Sequence, residues 1–277
     1  MGPIGVFDSG YGGLTVLKEL KKALPQYDYL YLGDNARAPY GTRSFDVVYE
    51  FTLQAVQELF NRGCSLVILA CNTASAKALR SIQINDLPKI APDKKVLGVI
   101  RPSTESLGAF TETGHIGIMA TPGTVKSKSY SIEMAKFFPE VEVTEYACPM
   151  WVPLIENNRQ DSEAGRILIK EDFYALLKTD DKIDTVVLAC THYPLVKEYL
   201  TEIAPNGIQI ISQGEIVADR LVDYLQRHQE IEKECTKNGL MAFLTTETVD
   251  VFEEKASLFF GESVKAQAIH LGASRKR

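Results

Sequence analysis

No apolar run in this 277-residue chain approaches the roughly 20 residues that a membrane-crossing helix needs. The N-terminus shows no signal-peptide core and enters a short strand pattern at Ile4 to Phe7, while Val6 stands where a myristoylation signal places a hydroxyl residue. No membrane partner is expected, and the chain reads as cytoplasmic. Cysteine is sparse: there are five, an odd number, with no C-x-x-C spacing. That fits a reducing compartment better than a disulfide framework, and it leaves no paired Cys/His knuckle for zinc. An excess of positive charge is missing too. Lys and Arg total 30 against 36 Asp and Glu, for a net charge of −6, and the basic residues are scattered, unlike the footprint of a nucleic-acid binder. The one basic cluster, Arg275-Lys276-Arg277, reads as a solvated tail. The glycine loop Gly10-Tyr11-Gly12-Gly13 carries Thr15 where G-x-G-x-x-G requires its last glycine, and no Walker Lys-Ser/Thr follows.

What is present is a soluble globular composition, 45% hydrophobic and 24% charged. Short β-rich runs alternate with helical patterns along the whole chain, which predicts an α/β protein with mainly parallel sheets flanked by helices. Strands are expected at Ile4 to Phe7, Tyr27 to Leu32, the run before Cys71, Val96 to Ile100, the run from Ile116, the run before Cys190, and Gly207 to Ile211. Two more are expected at Leu240 to Thr245 and Val264 to His270. Between Ser44 and Arg62 apolar residues keep the three-and-four spacing of one helical face, with Thr52 its polar exception. A helix from about Ala74 is expected to run to a breaker at Asp86-Leu87-Pro88.

Three echoes keep their order along the chain: Ile4 with Ile116, Tyr31 with Tyr146, and Cys71 with Cys190. They suggest two similar halves, pseudo-symmetric about an interdomain cleft. The expected division is a discontinuous first domain, 1–97 with 210–277, around a second domain, 98–209.

Ligands of open parallel sheets bind outside the carboxyl ends of the strands. Asp8, Ser9, Asp34, Cys71, Asn72, Thr73, Thr121, Thr124, Cys190, Thr191 and His192 fall at such ends or just beyond. Cysteine usually behaves as a small buried hydrophobe, and Cys64, Cys148 and Cys235 are read in that way. Cys71 and Cys190 differ, because each follows an apolar strand and is followed directly by a polar pair. Two thiols facing each other suit removal of a proton from one face of a carbon and delivery to the other, with Asp8 and His192 as proton shuttles. A catalytic disulfide pair is the alternative, although redox motifs place their cysteines close in sequence.

Five stretches resemble glutamate racemase: Val6-Phe7-Asp8-Ser9-Gly10-Tyr11-Gly12-Gly13-Leu14-Thr15-Val16; Asp34 with Pro39-Tyr40-Gly41; Ala70-Cys71-Asn72-Thr73-Ala74-Ser75; Val152-Pro153-Leu154-Ile155-Glu156; and Cys190-Thr191-His192-Tyr193-Pro194. Ala120-Thr121-Pro122-Gly123-Thr124 adds weaker support. The resemblance implies two α/β domains with the active site between them. It also implies interconversion of L- and D-glutamate without a cofactor, pyridoxal phosphate included, and supply of D-glutamate for the bacterial cell wall. Carried over, Cys71 and Cys190 are the acid/base pair. Asp8 assists Cys71, and His192 and Glu156 assist Cys190. Ser9, Pro39, Tyr40, Gly41, Asn72, Thr73, Thr121 and Thr191 hold the amino acid, and Asp34 supports them. No metal is implied, and a homodimer is expected.

Tyr11 and Arg101 depart from the family pattern. Aspartate racemases of the same superfamily usually carry glutamate after the second Cys-Thr, so His192 favours glutamate. A binding or gyrase-inhibiting protein on the same fold is the rival from a different class. Some family members with an N-terminal extension need a cell-wall precursor as activator. With the first strand beginning at Ile4, no activator is expected to be required, and a large rise in activity on adding the precursor would contradict this.

Overall fold

The computed structural model describes residues 1–272; the basic cluster Arg275-Lys276-Arg277 lies outside the described residues. Four parallel strands come first, β1 (Ile4–Asp8), β2 (Tyr29–Gly33), β3 (Leu66–Leu69) and β4 (Lys95–Gly98). The next four build a second parallel sheet: β5 (His115–Ala120), β6 (Glu142–Ala147), β7 (Thr185–Ala189) and β8 (Gln209–Ser212). The last two, β9 (Met241–Thr245) and β10 (Ala266–Ala268), return to the first sheet. The resulting orders are β10-β9-β2-β1-β3-β4 and β6-β5-β7-β8. β1, β2, β3 and β7 are buried at every position, which explains why they read as unbroken apolar runs.

The two sheets repeat one design. β2-β1-β3-β4 has the same order as β6-β5-β7-β8, with β9 and β10 added along the β2 edge. Register identifies the equivalent positions. Phe7 pairs with Leu69 and Met119 with Leu188, so Cys71 and Cys190 each lie two residues beyond matched points. The tyrosine echo fails this test. Phe7 pairs with Leu32, whereas Met119 pairs with Tyr146, so Tyr146 corresponds to Leu32 and not to Tyr31.

The same repeat accounts for where the chain leaves the second sheet. β8 pairs with β7 and is the counterpart of β4, so the chain leaves the second sheet only after Ser212. It crosses back through the helix Gln213–Arg227, which packs on both Gly13–Ala23 and Ile100–Leu107. Leu14 and Leu17 of the first unit share one apolar cluster with Phe173 and Leu188 of the second. The units are thus joined by core packing as well as by chain.

Several helices differ from expectation for local reasons. The helix after β3 begins at Asn72, with Cys71 as its N-cap, and Pro88 does not end it. Pro88 lies in the first turn of a new segment, Leu87–Ile90, where its missing N–H costs nothing. Thr52 stays on the buried face of Phe45–Asn61 because its hydroxyl donates to the Val48 carbonyl at 2.7 Å. Arg101 projects from the start of Ile100–Leu107 and pairs with Glu105, one turn on. No helix among the described residues is long and apolar enough to cross a membrane.

Tyr11 fills a slot made by the C-terminal segment, stacking on Phe252 at 5.6 Å and Phe259 at 6.0 Å between ring centroids. Phe252, on the helix Val249–Phe260, is fully buried. Phe252→Ala should therefore cost about 3–5 kcal/mol, measured as a fall in the urea midpoint; a loss under about 1 kcal/mol would show that the slot collapses without penalty.

Candidate active site

The carboxyl ends of β1, β3, β5 and β7 converge on one small cavity of about 80 Å3 between the two units. That is far below the several hundred Å3 of a drug-sized site. Cys71 and Cys190 both line it, as do Glu156 and His192. Ser9, Pro39, Tyr40 and Gly41 form another part of the wall, and Asn72, Thr73, Thr121 and Thr191 complete the expected set. Asp8 and Asp34 lie behind the wall, fully buried. A second cavity, of about 810 Å3, opens beside the helices Ile100–Leu107 and Gln213–Arg227 and holds neither cysteine.

On the first side, Cys71 caps its helix, with Sγ accepting from the Ala74 N–H at 3.4 Å. The Ser9 hydroxyl lies 3.5 Å from the same sulfur. Asp8 makes no direct hydrogen bond to the thiol among the described residues; its Oδ2 accepts from the Gly10 N–H at 2.8 Å. Burial first, and the Asp8 carboxylate next, push the Cys71 thiol up to about 12. Burial also raises Asp8, against the pull of His192.

The second side is wired differently. His192 Nδ1 lies 4.0 Å from Cys190 Sγ, and its Nε2 lies 2.9 Å from Glu156 Oε1, so both ring nitrogens are engaged. Burial disfavours the imidazolium, but Cys190 and Glu156 outweigh it and hold His192 up at about 10. The Phe259 ring meets the imidazole edge-on at 5.2 Å.

The sides are also tied to each other. The Thr191 hydroxyl donates to Asp8 Oδ1 at 3.3 Å, and Thr15 donates to the Thr191 carbonyl at 2.9 Å. Thr73, Thr121 and Thr124 form a hydroxyl cluster, with Thr73 and Thr121 2.9 Å apart. The Gly123 N–H donates to the Gly41 carbonyl at 2.8 Å. Gly12 must be glycine for a similar reason: a Cβ there would lie 2.3 Å from Thr191 Oγ1 and 2.4 Å from His192 Nδ1.

Two expected residues act one step back. Asp34 accepts from the Tyr40 hydroxyl, from Arg37 Nε at 2.6 Å and from the Thr246 hydroxyl at 2.9 Å, so it fixes Tyr40. Asn72 lines the cavity, but both ends of its carboxamide are committed elsewhere. Its Nδ2 donates to Gln213 at 2.8 Å, and its Oδ1 accepts from Tyr130 at 2.7 Å. Gln213 and Tyr130 were not anticipated, and no local motif marks either. Cys148 also lines the cavity; its place at the end of β6, equivalent to the loop after β2, was the available signal. Burial pushes its thiol well up, which keeps it neutral.

Residues 4–221 match the Asp/Glu/Hydantoin racemase family. The chain belongs to that racemase family. A glutamate racemase of Ruegeria sp. is 38% identical over 96% of this chain and 99% of its own. A crystal structure of a glutamate racemase isoform from Bacillus anthracis superposes with a TM-score of 0.88 at 33% identity, covering 98% of each chain. A glutamate racemase from Francisella tularensis, solved in complex with D-glutamate, gives 0.86 at 31% identity, again covering 98% of each. The racemase fold read from the sequence is thus the fold observed.

Two outcomes follow from the site geometry. Gly12→Ala should cost about 1–3 kcal/mol through overpacking and lower racemase activity more than tenfold, since the clash falls on Thr191 and His192; a variant with native turnover would show that the loops can part. Cys71 alkylation by iodoacetamide, followed by peptide mass spectrometry, should quicken about tenfold per pH unit from pH 7 to 10, because a thiol held near 12 gains thiolate throughout that range. A plateau near pH 8 would contradict that shift.

Proposed function

We propose that this amino-acid racemase interconverts L- and D-glutamate without a cofactor, with Cys71 and Cys190 as the two bases. The observation that supports it most is that two register-equivalent thiols line one cavity while drawing on different proton partners. In one direction the Cys71 thiolate takes the α-proton and the Cys190 thiol delivers a proton to the opposite face of the carbanion. The roles exchange in the other direction. A thiol that ionises near 12 is seldom a thiolate, but once formed it is a strong base, as a weak carbon acid requires. Ser9 and Asp8 serve Cys71, and the His192–Glu156 pair moves protons to and from Cys190. N–H groups in the first turn after Cys71, without partners inside the helix, and the Thr73 and Thr121 hydroxyls suit the substrate carboxylates.

Glutamate as substrate is favoured by the similarity to glutamate racemases, one of them solved with D-glutamate. His192 after the second Cys-Thr favours it as well. On this reading the protein is a cytoplasmic homodimer that supplies D-glutamate to peptidoglycan synthesis.

Incubation with L-glutamate in deuterated water, without added cofactor, should erase optical rotation and place deuterium at the α-carbon. Exchange into aspartate and not glutamate would overturn the substrate and leave the mechanism standing. Cys71→Ser and Cys190→Ser should each lose about a thousandfold or more in racemisation while remaining folded, the loss expected when an acid/base group is removed; full turnover by either variant would end the two-base scheme. The unlike partners predict unlike variants. Since the equilibrium constant of a racemisation is unity, kcat/KM must stay equal in both directions, so a directional difference between Asp8→Asn and His192→Asn is read as a change in kcat matched by an equal change in KM. Equal kcat losses from L- and D-glutamate in both variants would count against the assignment.

A further inference from the structure

Lys77 is the last residue of the short helix that Cys71 caps, and it is 8% exposed. Nζ donates to the Arg43 carbonyl at 2.5 Å and sits 4.9 Å from the centre of the Phe45 ring. It also fills the space beside Gly123 of the second unit, where a Cβ would lie 2.7 Å from Nζ. Burying an ammonium without a carboxylate is unfavourable. Burial lowers its pKa, Lys126 lowers it further, and Cys71 opposes them only when it is a thiolate.

The geometry assigns Lys77 a role as a positioning residue for racemisation: it pins the turn Tyr40–Arg43 over the substrate cavity and against Gly123 of the opposite unit. The turn is short, closed by the Arg43 N–H on the Tyr40 carbonyl at 3.1 Å. Tyr40, Gly41 and Thr42 line the cavity. Asp34 holds the turn by the Tyr40 ring, Gly123 by the Gly41 carbonyl, and Lys77 by the carbonyl at its end. Of these three grips only Lys77 carries a charge that lacks a counter-ion among the described residues, and glutamate, with two carboxylates and one ammonium, brings a net negative charge. Occupation of the cavity therefore lowers the cost of keeping the amine buried, so substrate favours the pinned turn over a released one.

This role rests on glutamate as substrate, so the test carries one arm that needs no turnover. Lys77→Met keeps the stem and removes the charge and the donor. Its KM for both glutamate enantiomers should rise about tenfold, the scale of one charge-assisted hydrogen bond, with kcat changed less than about threefold. Lys77→Arg, which restores cation and donor, should bring KM back to within about threefold of native. Amide exchange at residues 40–43 of the substrate-free Met variant should quicken at least tenfold, with the helix Phe45–Asn61 unchanged. Faster exchange in a protein that does not turn over glutamate would uphold the pin and overturn only the substrate reading. A Met variant with native KM and native exchange would overturn the role. So would a fall in kcat at constant KM, or an Arg variant as impaired as Met; if only the Arg variant folds, its KM alone decides.

Discussion

The buried Asp8 carboxylate is the point on which the rest of the site depends. The His192 imidazolium of the other unit attracts it, without a direct ion pair among the described residues. Its two oxygens are held by the Gly10 N–H from its own loop and by the Thr191 hydroxyl from the other unit. A carboxylate taken out of water needs such donors, and one of them arrives only if the loop after β7 is seated against Gly12. The small glycine surface, the threonine after Cys190 and the acid before Ser9 are therefore one requirement. Docking of the two units and electrostatic preparation of Cys71 are the same event.

A repeated scaffold need not give a repeated chemistry. The register that makes Cys71 and Cys190 equivalent does not extend to what surrounds them. Ser9 and a buried carboxylate stand by one thiol, and an imidazole braced by Glu156 stands by the other. The additional strands deepen the difference. β9 and the helix after it supply Thr246 to Asp34, Phe252 to Tyr11 and Phe259 to His192, and the second unit has nothing comparable among the described residues. The C-terminal quarter, which carries no recognisable motif, thus shapes both sides of the cavity.

Much of this was legible in the residues. Parallel strands buried on both faces are contiguous apolar runs, and a polar pair after such a run marks where the chain meets solvent or ligand. That is why both cysteines and their neighbours could be singled out, and they line one cavity. Other features had no local signature. β8 looks like a strand of either sheet, because nothing in Gln209–Ser212 says which edge it will join. Tyr146 matched Tyr31 in type and order, yet one residue of register separates them. Gln213 and Tyr130 became partners of Asn72 only through packing of elements far apart in sequence. Short-range pattern reports how a segment is buried, not against what.

The two crossings between the units have a mechanical meaning. The chain leaves the first sheet after β4 and leaves the second after β8, equivalent edge strands, and the segments that follow are laced together. Gln213 Nε2 reaches Ser103 Oγ at 2.8 Å, and Arg220 reaches Ser106 Oγ at 3.0 Å and the Glu105 carbonyl at 3.3 Å. Both covalent links therefore run along one stitched edge. Such an attachment resists sliding and separation along that edge, while the contacts at Gly12, Gly41 and Gly123 hold the units together at the cavity itself.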